Sequence, residues 1–279
     1  MHPSGSGGRS TDGARGGAFR FRSKLERRIV RRAGEAVGDY DLIEDGDHIL
    51  VAVSGGKDSL ALLEVLQLLR RRSPARFQLT AVTIDQGRVG VDLGWLKAHL
   101  VESGLPHHIE EVPIDQVVQE KLSPGAIPCS LCSRLRRGVL YSLAPRLGCT
   151  KIALGHHLDD LIETLLLNLF FSGQLRTMAP RLRSEDGRNV VIRPLCHVPE
   201  SWLRTYGEQR GFRTLSCQGP GCGGPDSRRY QVKQLVARLG EGSPQLRYQM
   251  LRAMRSVRAE HLLDRGLLRR LGVEPPTEE

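Results

Sequence analysis

Aromatic residues are scarce in this chain, only 5% of 279 residues, so aliphatic side chains must supply the core; at 39% hydrophobic overall there are enough of them. No apolar run reaches the roughly 20 residues that a membrane-crossing helix needs. The most apolar stretch, residues 161–171, is short and is broken by Glu163 and Asn168. Residues 1–17 have no apolar segment, so a secretory signal is not expected there. They are rich in Gly, Ser and Arg with Asp12 as their one acid, a composition open to a transit peptide and read more simply as a disordered basic arm over residues 1–20. Internal repeats are absent. Acidic charge is also short: the net charge is +10, with residues 1–32 at +7, residues 228–270 at +8 and the remainder at −5. Cationic ends on a mildly acidic body suit a polyanionic partner, although arginine-rich helix faces are also common as plain solvated surface.

Six cysteines, at 129, 132, 149, 196, 217 and 222, are too unevenly spread for a disulfide framework. Cys129 and Cys132 form a C-x-x-C, and Cys217 and Cys222 form a second, glycine-rich pair, a distribution that reads as metal or redox chemistry in a reducing compartment. Cys149 and Cys196 read as buried structural thiols.

Hydrophobic periodicity and turn residues predict strands over 48–53, 77–84, 108–112, 152–154 and 190–195. Helices are predicted over 23–39, 59–71, 93–103, 129–147, 158–171, 199–210, 228–239 and 244–260. Alternating strands and helices imply an α/β fold with a parallel sheet covered on both faces. Ligands of such sheets bind at the carboxyl ends of the strands. Three chemical groups fall at those ends: Ser54-Gly55-Gly56-Lys57-Asp58-Ser59, Asp85, and Gly155-His156-His157.

The first group stops a buried strand abruptly and opens a helix. Glycines let backbone N–H groups approach an anion, a helix start adds positive potential, Lys57 adds a full charge, and Ser54 and Ser59 add hydroxyls. Phosphate is the expected ligand. A Walker A loop is excluded, because that motif places four residues between its first glycine and Gly-Lys, whereas Gly55 and Gly56 are adjacent. The second strong segment runs from Gly155 through His156, His157, Leu158, Asp159 and Asp160 to Glu163. Asp159 and Asp160 could hold Mg²⁺ on phosphates, which needs few carboxylates, or could simply cap a helix. Asp85 is either a ligand to metal or base or a turn residue, and Asp58 is read as orienting the loop or the metal.

Ser-Gly-Gly-Lys-Asp-Ser resembles the PP-loop of ATP pyrophosphatases, which cleave ATP between its α- and β-phosphates. Pro128-Cys129-Ser130-Leu131-Cys132-Ser133-Arg134-Leu135-Arg136-Arg137-Gly138, Thr150-Lys151-Ile152-Ala153-Leu154-Gly155-His156-His157 and Ile192-Arg193-Pro194-Leu195 are similar to blocks of the tRNA 2-thiocytidine synthetases. The resemblance runs from about residue 25 to 262. It implies an adenine nucleotide alpha-hydrolase-like, Rossmann-like PP-loop domain over residues 21–215, followed by a small basic helical C-terminal region, residues 216–272, that carries cysteines.

The same resemblance implies the chemistry: ATP-dependent, iron-sulfur-dependent thiolation of a cytidine at position 32, in the tRNA anticodon loop, through an adenylated C2. Ser54, Gly55, Gly56, Lys57, Asp58, Ser59, Gly155, His156, Asp159 and Asp160 would hold ATP and Mg²⁺, with Lys57, Asp58 and Asp85 at the reaction. Cys129, Cys132 and Cys217 would hold a [4Fe-4S] cluster. The later pair departs from the family's second C-x-x-C, because four residues separate Cys217 from Cys222, so Cys222 stands as an alternative or additional ligand. Four thiolates also permit structural zinc. Implied partners are tRNA, contacted by Arg134, Arg136, Arg137 and the C-terminal helices, and a cysteine desulfurase as sulfur donor. A cytoplasmic enzyme is expected, with no membrane partner and with a homodimer admitted. The rival readings are a lysidine synthetase-like or other PP-loop tRNA-modifying ligase, a small-molecule amidotransferase-type PP-loop enzyme, and a non-enzymatic RNA-binding module.

Overall fold

The computed structural model describes residues 20–88, 90–121, 129–215, 224 and 227–272, with backbone alone for Cys129. Its elements in chain order are α1 (Lys24–Asp39), β1 (His48–Ala52), α2 (Lys57–Arg70), β2 (Gln78–Asp85), α3 (Gly94–Glu102), β3 (His107–Glu111), α4 (Ile114–Lys121) and α5 (Cys129–Arg146). There follow β4 (Lys151–Ala153), α6 (Leu158–Ser172), β5 (Arg181–Arg183), β6 (Val190–Ile192), α7 (Glu200–Arg210), α8 (Arg228–Glu241), α9 (Leu246–Arg255) and, after a short 3₁₀ turn, α10 (Arg265–Leu271).

The sheet order is β3-β2-β1-β4-β6-β5. Every pairing is parallel except that of β5, which runs antiparallel to β6 at the edge. Strand β1 therefore sits where the chain order reverses, with β2 on one side and β4 on the other, and a crevice opens above such a switch point. Strand periodicity divides the core. Ile49 and Val51 face a cluster with Leu62, Leu66, Leu203 and Tyr206 from α2 and α7, whereas Leu50 faces Leu140, Leu143 and Ile152 on the α5 side. Each such fully buried aliphatic side chain contributes about 1.5–3 kcal/mol of transfer free energy.

The two basic helices α8 and α9 pack on α6. Val236 and Leu251 bury against Leu158 and Ile162, with Tyr248 and Met254 at the margin. A second tie runs to α1, where Arg255 pairs with Asp39 at 3.0 Å and the Arg32 guanidinium lies 4.9 Å from the Tyr248 ring centroid.

Several boundaries differ from the sequence reading. Helix α2 starts at Lys57 because Gly56 is its N-cap. Strand β6 ends at Ile192, since Arg193 onward turns back through Cys196 N–H to Arg193 O and Val198 N–H to Leu195 O. The helix expected over 244–260 is confined to Leu246–Arg255. Helices α4 and α10 and strand β5 were not expected; β5 is three exposed residues with no alternation to read.

Candidate functional site

The turn after β1 is built by its own side chains. Ser59 Oγ donates to Gly56 O at 2.8 Å and accepts from the Ser54 backbone N–H at 3.1 Å; Ser54 Oγ reaches the same hydroxyl at 3.2 Å. Gly55 has φ +78°, and a Cβ there would lie 2.6 Å from Leu215 Cδ1. Only glycine meets both conditions. Gly56 caps α2 without a side chain, so the helix start presents backbone N–H groups and the positive end of the dipole.

The turn after β4 closes on that helix start. A Cβ on Gly155 would lie 3.1 Å from the backbone carbonyl of Asp58 and 3.2 Å from Ser59 N. His157 then caps α6 in a reciprocal box: its Nδ1 accepts from Asp160 N–H at 3.3 Å, and Asp160 Oδ2 accepts from His157 N–H at 3.1 Å. Nδ1 is therefore the acceptor, and Nε2 faces Asp58 Oδ2 at 3.8 Å. Burial, then the charge of Arg193, pull the neighbouring His156 down to about 4, so its imidazole is neutral at physiological pH.

Lys57 sits in a carboxylate cradle. Its Nζ lies 3.0 and 2.9 Å from the two Asp58 oxygens and 3.2 Å from Glu200 Oε1. Burial works against the ammonium, but Asp58 and Glu200 outweigh it and raise the Lys57 pKa. Glu200 opens α7 and also pairs with Lys233 of α8 at 2.7 Å. Burial opposes its ionisation too; Lys233 and Lys57 overcome this and hold the carboxyl down at about 2. Asp159, 5% exposed, is engaged on both oxygens, by Glu200 N–H at 2.7 Å and by Arg247 Nε at 2.5 Å. Asp160, less buried, has Arg229 3.7 Å away. A cavity of about 200 Å³ opens beside this network, lined by Glu163, Glu200, Arg204, Lys233 and Arg247.

Asp85 ends β2, and its Oδ1 accepts from Gly87 N–H at 3.0 Å. The next residue, Gln86, accepts from the buried Cys132 thiol at 3.3 Å. Cys129 opens α5 and Cys132 lies one turn on, so the C-x-x-C helix meets the sheet at the end of β2. Cys217 and Cys222 lie outside the described residues. Leu215, two residues before Cys217, donates its backbone N–H to Gly55 O at 2.9 Å. Cys149 and Cys196 are free thiols that burial pushes up to about 11 and about 12. Among the described residues no three His, Cys, Asp or Glu side chains converge to hold a metal unaided, and no helix is long and apolar enough to cross a membrane.

The phosphate turn, Asp85, Cys132 and Gly155–Asp160 thus gather at one sheet edge. Sequence reading did not find Gln86, Glu200, Lys233 or Leu215. Glu200 looks like an ordinary acid in a first helical turn, and nothing local marks the other three.

The PP-loop domain family matches residues 25–215. A Geobacter metallireducens protein named tRNA-cytidine(32) 2-sulfurtransferase is 47% identical over 246 residues, 88% of this chain and 96% of that one. A protein of the same name from Anaeromyxobacter sp. (strain Fw109-5) is 48% identical over 248 residues, 88% of this chain and 81% of its own. Among solved structures, the U34-tRNA thiolase NcsA from Methanococcus maripaludis, with its [4Fe-4S] cluster, shares the fold at a TM-score of 0.68 and 22% identity, covering 85% of this chain and 80% of that one. With its phosphate turn, its C-x-x-C helix and these relatives, the chain belongs to the PP-loop family and, within it, to the tRNA-cytidine(32) 2-sulfurtransferases.

Proposed function

We propose that this enzyme uses ATP to replace the C2 oxygen of cytidine 32 in a tRNA anticodon loop with sulfur. The observation that carries the reading is the meeting of Gly55 with Leu215: the phosphate turn is hydrogen-bonded to the segment that leads directly to Cys217, while Cys132 reaches the same edge through Gln86.

Adenylation is a phosphoryl-type transfer, and its catalysis is positioning plus charge stabilisation. The cytidine O2 attacks the α-phosphorus of ATP and pyrophosphate leaves. Backbone N–H groups at the start of α2, the Ser54 and Ser59 hydroxyls and Lys57 receive the developing charge. Lys57 must then exchange part of its carboxylate cradle for phosphate oxygen. Asp58, once Lys57 turns to phosphate, and Asp160, with Asp85 at the end of β2, are the carboxylates we assign to Mg²⁺, which takes one or two carboxylates plus phosphate oxygens. Asp159, with both oxygens engaged, fixes α7 and α9 instead. Gly155 forms the wall of the nucleotide site next to α2, and His156 bounds that site on the side toward β6. The C2–O bond breaks as sulfide-level sulfur adds at C2 and AMP departs with the oxygen; sulfur that arrives as a persulfide first takes two electrons from a thiol reductant.

Cys129, Cys132 and Cys217, with Cys222 in reserve, would hold a [4Fe-4S] cluster, which supplies the site from which sulfur is delivered. Of these, Cys132 is a buried thiol at the carboxyl edge of the sheet, hydrogen-bonded to Gln86, which supports the reading. In this reading the sulfur comes from a cysteine desulfurase, the enzyme works in the cytoplasm, and a homodimer is admitted. The target base must leave its stack to enter, which costs least in a loop.

The test is Lys57→Ala in anaerobically purified protein. Pyrophosphate release in the presence of tRNA should fall about 10²–10³-fold, as for loss of a charge-stabilising donor, while iron content is unchanged. Undiminished release would refute the phosphate assignment. Wild-type protein that is colourless and iron-free would instead favour a lysidine synthetase-like ligase.

A further inference from the structure

Two buried polar atoms at the catalytic edge have no hydrogen-bond partner among the described residues: Nε of Arg193 and Nδ1 of His156. Arg193 directly follows β6, and His156 lies three residues beyond β4. These strands are parallel neighbours, with Ala153 opposite Ile192, so both residues leave the sheet at one corner. Arg193 is only 8% exposed, yet among the described residues no carboxylate pairs with it. To the described residues its guanidinium donates once, from Nη1 to the Ala179 carbonyl at 2.5 Å. Other partly buried arginines here are matched: Arg210 grips both oxygens of Glu64, and Arg247 holds Asp159. Asp160, an acid whose field does reach Arg193, accepts from the His157 N–H and lies 3.7 Å from Arg229 rather than pairing with Arg193.

A buried guanidinium without a counter-ion is costly, and its planar fork matches phosphate oxygens. The surroundings add positive charge. The charge of Arg137, exposed on the C-x-x-C helix, acts on Arg193, and that of Arg229, exposed on α8, acts on His156.

We propose that Arg193 receives a backbone phosphate of the substrate RNA, with His156 in its Nδ1–H tautomer as second donor and Arg137 on the approach. The assignment rests on the reading of this chain as a tRNA-thiolating enzyme. RNA is favoured over ATP on two grounds. The nucleotide's phosphates already have a cradle after β1; Arg193 leaves β6, two strand spacings or about 10 Å from it, with His156 after β4 standing between the two. The exposed Arg137 extends the cationic surface outward, as a polymer needs and a small ligand does not.

The experiment uses full-length, iron-loaded protein as wild type, Arg193→Gln and Arg193→Lys. Three titrations are run: unmodified tRNA at several salt concentrations, a non-hydrolysable ATP analogue, and pyrophosphate. Arg193→Gln should bind tRNA about tenfold more weakly, and its log–log salt slope should shrink by about 0.7–0.9, the share of one phosphate contact. Affinity for the analogue and pyrophosphate should stay within about twofold. Arg193→Lys should keep the slope with an intermediate affinity; it decides the matter alone if the glutamine variant does not fold. Unchanged tRNA affinity and slope would overturn the proposal. So would a loss confined to the analogue or pyrophosphate, which would assign the anion to the nucleotide. Wild-type protein that fails to bind tRNA would instead sink the underlying reading, a result distinct from either.

Discussion

Replacing Gly55 with alanine tests the junction on which the site depends. Two penalties arise. A side chain at φ +78° costs about 1–2 kcal/mol in backbone strain. The new Cβ also meets Leu215 Cδ1 at 2.6 Å and Cγ at 3.0 Å, an overpacking worth about 1–3 kcal/mol. Together, about 2–5 kcal/mol should lower the melting temperature by roughly 4–20 °C in a domain of this size. The second penalty belongs to the pair. Leu215→Ala removes Cγ and Cδ1 and leaves Cβ, at 3.3 Å from the added methyl, in tolerable contact. A double-mutant cycle by denaturant unfolding should therefore give a coupling of about 1–3 kcal/mol, with Leu215→Ala rescuing Gly55→Ala. The rescue should extend to ATP affinity. If the two substitutions simply add, both in stability and in ATP binding, then Leu215 does not brace the phosphate turn and the reasoning fails.

Gly155→Ala brings its methyl against backbone rather than a movable side chain, so pyrophosphate release should drop about tenfold or more through displacement of the α2 start; a normal rate would contradict the close approach. Glu200 has a folded-state pKa held below its unfolded value, so its contribution is present above about pH 4.5 and is lost as pH falls toward about 2. Glu200→Gln should be less stable at neutral pH, by on the order of 2 kcal/mol, with the difference from wild type closing on acidification through that window; a pH-independent difference in urea midpoints would argue against the pairing with Lys57 and Lys233. Cys132→Ala should lose iron and thiolation yet bind ATP normally, whereas Cys149→Ala should retain full iron, as measured by iron and sulfide analysis; an iron-replete Cys132→Ala protein would remove that thiol from the cluster.

Much of this molecule was legible before folding. Glycine at 55, lysine at 57 and serines at 54 and 59 specify the strand–turn–helix geometry because the determinants are local: a positive φ, a helix start and hydroxyls within six residues. Strand and helix alternation likewise fixed a mostly parallel sheet and so placed Asp85 and Gly155 on its carboxyl edge. What folding alone decided are the contacts across long sequence separations. Asp159 and Asp160 are adjacent and chemically alike, yet one is spent on Glu200 N–H and Arg247, 41 and 88 residues away, while its neighbour caps its own helix. Leu215 reaches Gly55, Glu200 reaches Lys57, and Arg193 is left without a counter-ion among the described residues only once α7, α8 and the turn after β6 have packed. Periodicity encodes which face a residue takes, but a partner's identity depends on how whole elements settle against one another, and no local pattern carries that.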